Sequence, residues 1–395
     1  MKDRQGDLFT APGFRIPPYF FCRNNKPLTI LISCGERKTN VASKASALYT
    51  SHRFKTAIKL SEQLGADYFI ISGKYGLVDP NSILEPYDYN LDLTDEKKRL
   101  SWGSNVAKEL IKQGVEGNVC IFGNKNYSDP LLKQFLKGES SIKVYAPLDS
   151  IAEAQHESWL EQALSASYRI RDLEALYNEI RKQRVAGKTF LLKNLSKQKL
   201  PNKGVYIFLD PEEKNTFDGS SRIVRVGTHA VSHNSKSTLR NRLRNHLGNE
   251  NGAGNHRGSI FRLHVGRALI ERDGLQQQYT SWGEGQHAAA KIRSKELSHE
   301  LNVSQYIGNL EVFIFDIDDV SSKHSMRASV ESQLIALYSE NLIPIESASK
   351  QWLGNWSPMK LIKQSLLWNL KDVGRVYDPN GRGSVLSVIH KGQDY

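Results

Sequence analysis

Residues 238–247, TLRNRLRNHL, set Arg242 and His246 four positions apart. On a helix that spacing puts both side chains on one face, while Leu239, Leu243 and Leu247 make the stripe to be buried. A fixed cation beside a proton carrier suits a phosphate ester. The guanidinium grips phosphate oxygens bidentately and meets charge that grows in the transition state; the imidazole exchanges a proton. Charge around this segment agrees. Between positions 181 and 260 sixteen Lys and Arg stand against five Asp and Glu, so +11 of the chain's net +12 falls there. A block this lopsided implies a polyanionic partner, most commonly nucleic acid, with Lys236, Arg240 and Arg244 as phosphate contacts. Residues 254–259, GNHRGS, offer Asn255, His256 and Arg257 on a Gly-rich loop, suited to phosphates or base edges.

A second group of chemistry-bearing residues lies near the N-terminus. LISCGERK (31–38) and ISGKYGLV (71–78) each read as a strand running into a small, basic, Gly-containing turn. Turns at the carboxyl ends of strands are where open α/β sheets bind ligands. Ser33, Cys34, Lys38 and Lys74, followed by Tyr87 and Asp88 with an aromatic face and an acceptor, suit a phosphate or an extruded base.

The elements that must hold these groups fall into two sets. Short apolar strands at 28–32, 68–72, 119–122 and 142–145 alternate with helical patterns at 45–64, 102–112 and 130–136, which predicts a largely parallel α/β layered sheet over 27–150. Residues 151–184 lack Gly and Pro and read as one or two helices; 188–203 is basic and reads as a linker. Beyond it come strands at 204–208 and 222–227 joined by a polar connection, the helix bearing Arg242, a strand at 310–316 and a helix at 329–337.

This second set resembles the GIY-YIG nuclease superfamily over about residues 200–370. Gly204-Val205-Tyr206 stands at the first motif, Arg225-Val226-Gly227 at the second, Arg242 at the helix arginine, and His246 where some members have His or Tyr. The family's metal-binding glutamate lies on a later helix, which makes Glu331 the candidate ligand. Taken singly, Tyr206 reads equally as a core aromatic and Arg242, His246 and Glu331 as surface helix residues; their joint order carries the resemblance. Two positions depart from the pattern: Arg225 replaces the second motif's tyrosine, and Thr228 follows its glycine. Asn341 and Asn355 both align imperfectly with an Asn that usually follows the glutamate. The resemblance implies phosphodiester hydrolysis, with Mg²⁺ (or Mn²⁺) at Glu331 polarising a phosphoryl oxygen, Arg242 stabilising the phosphorane, and Tyr206 or His246 taking a proton from water. A free phenol, with a pKa near ~10, needs a cation beside it to act so; Arg225 supplies one if it lies across the paired strands. The first set is similar to an uncharacterised domain of bacterial and phage proteins, to one accompanying archaeal tRNA-guanine transglycosylase and archaeosine enzymes, and distantly to uracil-DNA-glycosylase-like folds.

The expectation is therefore an N-terminal three-layer α/β domain (27–155) after a lead-in (1–26), a helical and basic linker (156–203), a C-terminal α+β nuclease domain (204–375) with an insertion at 247–309, and a tail (376–395). The implied function is a metal-dependent DNA endonuclease of restriction or phage-defence type that recognises modified DNA. A glycosylase joined to a nuclease is one alternative; a binding protein with a decayed nuclease fold, favoured by Arg225 and Thr228, is another. RNA stays open as substrate, as does a homodimer. No apolar run reaches the ~20 residues of a membrane helix. No signal peptide is read at the N-terminus, and three cysteines (Cys22, Cys34, Cys120) without metal-type spacing predict a reducing cytoplasm and no structural zinc.

Overall fold

The computed structural model describes residues 14–17, 20, 27–136, 141–233, 235–249, 254–285 and 288–391. Most of the expected lead-in, Cys22 and the last four residues of the expected tail lie outside the described residues. Two compact units divide the chain within one long helix, the first ending at Ile170 and the second beginning at Arg171.

The N-terminal unit is built on β1 (Leu28–Ser33), β2 (Asp67–Ser72), β3 (Gly76–Val78), β4 (Asn118–Phe122) and β5 (Lys143–Tyr145), in the order β3-β2-β1-β4-β5. Every pairing is parallel except β2 with β3. Ile30, Leu31 and Ile32 are all buried, which identifies β1 as a central strand covered on both faces. The covering helices are α1 (His52–Gln63), α2 (Glu96–Lys112) and α3 (Lys125–Phe135), each opened by a side-chain cap: Ser51, Asp95 and Asn124. Gly103 lets α2 meet α3, since a Cβ there would stand 2.6 Å from Pro130. The helical pattern at 45–64 is interrupted. Tyr49 and Thr50 are extended because they pair with the 37–39 turn, Thr50 N–H donating to the Arg37 carbonyl at 3.0 Å, and Ser51 then starts α1 afresh.

The long helix α4 (His156–Val185) leads to the second unit. Its sheet comprises β6 (Phe190–Leu191), β7 (Gly204–Lys214), β8 (Ser221–Gly227) and β9 (Glu311–Asp316), ordered β8-β7-β9-β6 and antiparallel throughout. Residues 188–203, read as a linker from their charge, thus supply the fourth strand, and Leu192 and Leu195 enter the core. Against the sheet pack α5 (Leu239–Leu247), α6 (Ile260–Asp273), α7 (Ala290–Gly308) and α8 (Met326–Ser339). The insertion is no appendage: Phe261 and Val265 of α6 and Val303 and Ile307 of α7 join Tyr206, Phe208, Leu239, Leu243, Trp352 and Trp368 in one buried cluster. The mixed α/β class is as the sequence implied. Among the described residues no helix is long and apolar enough to cross a membrane.

Candidate active site

Alternation along β7 turns Tyr206 and Phe208 toward α5 and α6. Tyr206 stands opposite Gly227 on β8. A Cβ at position 227 would overlap the Tyr206 phenol oxygen, so the glycine of the second motif is what lets the phenol lie across the hairpin. The phenol oxygen is 2.7 Å from His246 Nε2, and His246 Nδ1 is 2.8 Å from Ser259 Oγ at the start of α6. Tyr206 and His246 are 0% exposed.

Arg225, on the same face, is buried. Its Nη1 donates to the Trp368 carbonyl at 3.0 Å and its guanidinium lies 4.7 Å from the Phe261 ring centre. Burial pulls its pKa down; Tyr206 and Glu331 oppose that pull, while Arg242 adds to it. Arg225 and the Tyr206 phenol are close enough to interact. Arg242 is half-buried, and its Nε has no partner among the described residues. Burial, then Arg225, Arg242 and Arg262, hold the His246 pKa well below its ordinary value, so the imidazole is neutral.

Glu331 projects from α8. One carboxylate oxygen accepts the Thr228 N–H at 3.1 Å, and Thr228 Oγ1 donates to the Gly204 carbonyl at 2.8 Å. The strand-end residue that departs from the family pattern thus ties Glu331 to the first motif. Burial raises the Glu331 pKa, and Arg225 is the main opposing charge. Among the described residues the hydrogen bond to the Glu331 carboxylate is the one that Oε1 accepts from Thr228. A desolvated carboxylate with a free oxygen fits a hard divalent cation. Tyr206, Arg225, Arg242, His246 and Glu331 are thereby gathered from β7, β8, α5 and α8.

The expected DNA contacts divide. Lys236, Arg244 and Asn255 are exposed. Arg240 donates to the carbonyls of Leu195 and Gln198 and so pins the segment after β6. His256 is buried, stacked 3.9 Å from Trp282, with Nδ1 on Glu300 at 2.9 Å. Arg257 pairs with Glu296 at 2.7 and 3.1 Å and donates to the Glu284 and Gly285 carbonyls. Read as an open DNA loop, GNHRGS instead fixes the insertion, with Asn255 alone of the three facing solvent.

Several neighbours carry no sequence signal of their own. Arg262 donates to the His246 and Leu247 carbonyls, both at 2.9 Å, and pairs with Glu300, clamping the end of the helix that bears Arg242 and His246. Asn369 bonds both the N–H (3.1 Å) and the carbonyl (2.8 Å) of Val226, beside the second-motif glycine. Asn341 pairs through its backbone with Gly374, and Asn355 donates to the Ser349 and Lys350 carbonyls.

In the N-terminal unit a cavity of about 730 Å³ opens at the carboxyl ends of β1 and β4, lined by Cys34, Lys38, Asp88, Asn124 and Tyr127 among others. Cys34 Sγ is 3.2 Å from the Tyr127 hydroxyl. The Tyr87 hydroxyl sits 2.8 Å from both Tyr49 and Ser72, with Lys38 Nζ 4.4 Å and Lys74 Nζ 5.3 Å from its ring centre. Burial pushes Tyr49 up to about 12 and raises Tyr87 and Tyr127, so all three are phenols. Ser33 is buried in β1. The one three-ligand cluster of His and acids among the described residues, His52, Glu157 and Glu161, is exposed and belongs to this unit.

The family comparison indicates a nuclease-type endonuclease domain in the second unit. The GIY-YIG domain family profile matches residues 167–394, more than half of the chain, and the protein belongs to that family. A family of unknown function (DUF6884) matches residues 29–162. No curated protein and no solved structure matches the chain. A nuclease domain implies a nucleic-acid substrate, and nucleases of this family generally depend on a divalent metal.

Proposed function

We propose that the protein is an Mg²⁺- or Mn²⁺-dependent endonuclease that hydrolyses phosphodiester bonds in DNA, acting in restriction or phage defence. The observation that carries this reading is the convergence of Tyr206, Arg225, Arg242, His246 and Glu331 on one site. Glu331 would hold the metal, whose chemistry when bound is polarisation of a phosphoryl oxygen. Arg242, with its free Nε, meets the charge of the phosphorane. Tyr206 accepts the proton of the attacking water, and Arg225 is the cation beside its oxygen. Lys236, Arg244 and Asn255 contact the DNA strand.

In the N-terminal unit we infer a nucleobase pocket around Cys34, Lys38, Lys74, Tyr87 and Asp88. Its support is the strand-end cavity that Cys34, Lys38 and Asp88 line, and the two lysines beside the Tyr87 ring. It would distinguish modified from unmodified DNA. A second reading, binding without cleavage, is favoured by the complete burial of Tyr206 and His246. The test is incubation of the full chain with Mg²⁺ or Mn²⁺ and matched modified and unmodified DNA, with analysis of the ends. Metal-dependent 5′ and 3′ ends that Glu331→Gln does not produce support hydrolysis. Binding without cutting under either metal refutes it.

A further inference from the structure

Two residues past the second-motif glycine, His229 joins the turn before β7 to the helices α5 and α8. The residue is buried, and its Nε2 lies 3.2 Å from the Asn202 carbonyl. A carbonyl only accepts, so that nitrogen carries the hydrogen and donates it. The same carbonyl accepts the Leu239 N–H at 2.9 Å, at the first residue of α5. One helical turn later α5 presents Arg242. On its other side His229 offers its own carbonyl to Arg327 Nη1, at 2.6 Å. Arg327 is fully buried and is anchored on Asp319 through its backbone N–H (3.1 Å) and its Nε. It stands four residues before Glu331, on the same face of α8. Arg327 and Glu331 thus hold consecutive residues beyond the end of β8, one through the His229 carbonyl and the other through the Thr228 N–H.

Packing alone does not call for these groups. Burial pulls the His229 pKa down to about 4, and Arg327, Arg242 and Lys203 add to that pull, so the ring is neutral and Nδ1 is a bare lone pair. Among the described residues neither that Nδ1 nor Arg327 Nη2 has a hydrogen-bond partner. Buried polar atoms left so are costly, and apolar side chains of similar volume would avoid the cost. What the polar pair adds is direction. We infer that His229 and Arg327 form a strut that sets the Glu331 helix against the Arg242 helix, which makes them positioning residues for the metal ligand and the phosphate arginine. The strut stands on its bonds; its consequence for rate rests on the nuclease reading. A group that holds the metal and one that meets charge on the same phosphorus must keep a fixed separation, and a small misplacement costs rate before it costs binding.

The test uses the full chain. His229→Leu keeps bulk and loses the donor, whereas His229→Gln keeps an N–H for the Asn202 carbonyl. Hydrogen exchange without metal or DNA reads the strut directly. Amides of 228–231 and 239–242 should exchange about tenfold faster in His229→Leu and at the wild-type rate in His229→Gln, one buried hydrogen bond being at stake, while those of β9 stay unchanged. Unchanged exchange at both segments in His229→Leu overturns the strut. With Mg²⁺ and plasmid DNA, His229→Leu should lower kcat about tenfold with KM within about twofold, and His229→Gln should restore it. Equal loss in the two overturns the donor role. A double-mutant cycle separates alignment from a merely structural loss: in an Arg242→Ala background His229→Leu should cost no more than about twofold, because the group it aligns is gone. A full tenfold loss there overturns the positioning role. His229→Ala takes the place of the leucine variant should that one not fold. If the wild type cleaves nothing with either metal, the nuclease reading fails while hydrogen exchange still decides the strut.

Discussion

Glu331→Gln should move activity and stability in opposite directions. Burial raises the Glu331 pKa above its ordinary 4.5, with Arg225 opposing only in part. The sign follows by linkage: a carboxyl easier to protonate in the folded state favours folding at low pH and works against it as pH rises through the folded pKa. In metal-free buffer the neutral Gln removes that penalty, so the variant should melt at or above the wild type at pH 7–8. The two should converge near pH 4, where Glu331 is protonated in both folded and unfolded chains. Added Mg²⁺ reverses the order. At about 100 times its dissociation constant a ligand that binds only the folded state stabilises by ~2.7 kcal/mol. For a unit spanning Arg171–Tyr395 that is a rise of roughly 5–10 °C. The wild type should show it and Glu331→Gln should not, while cleavage is lost and DNA affinity stays nearly intact. The assay is differential scanning calorimetry with and without Mg²⁺ at pH 4 and 8, beside a plasmid digest. A Gln variant that melts well below the wild type without metal, or gains as much from Mg²⁺, would refute the reasoning.

Arg242→Ala should lower kcat by about 10²–10³ with a smaller effect on DNA affinity, because the phosphorane charge exists only in the transition state; single-turnover cleavage against filter binding separates the two. Gly227→Ala drives a methyl group into the Tyr206 oxygen, so it should abolish cleavage and cost about 1–3 kcal/mol of stability in urea unfolding. Lys236→Ala and Arg244→Ala should each weaken binding and flatten its salt dependence by about one unit of slope, whereas Arg240→Ala should chiefly lower the melting temperature, its guanidinium being spent on the Leu195 and Gln198 carbonyls. Lys38→Ala with Tyr87→Phe should erase any preference for modified over unmodified DNA without changing the rate on unmodified DNA, as read in a side-by-side digest.

The fold was legible wherever a segment's own pattern decides its state. The run at 28–32 is apolar on both faces, so a central parallel strand followed; Leu239, Leu243 and Leu247 recur every fourth residue, so a helix followed. Misreadings arose where the deciding partner is distant in sequence. Phe190 and Leu191 become a strand only because Val312 and Glu311 of β9 lie beside them, and no periodicity spans that separation. Tyr49 and Thr50 leave a helical pattern because the 37–39 turn pairs with them. The charge of 188–203 masked two buried leucines.

The site divides along the same line, and the division explains what GNHRGS does. Tyr206, Arg242, His246 and Glu331 each sit at a fixed offset inside a recognisable element, so their order in the chain could be read. Ser259, Arg262 and Glu300 matter through what they touch, and a Gly-rich basic sextet reads the same whether its cations face DNA or an internal acid. Packing settles the difference. Glu296 and Glu300, on one face of α7 and a helical turn apart, take Arg257 and the His256–Arg262 pair respectively. A buried carboxylate left unpaired is costly, so the two acids and the loop's basic groups hold one another in place. That arrangement fixes Ser259 at the head of α6 against His246 Nδ1 and draws Arg262 onto the last carbonyls of α5. The charges read as a surface for the substrate are thus spent on holding the insertion together, and of the expected contacts Lys236, Arg244 and Asn255 are the exposed ones.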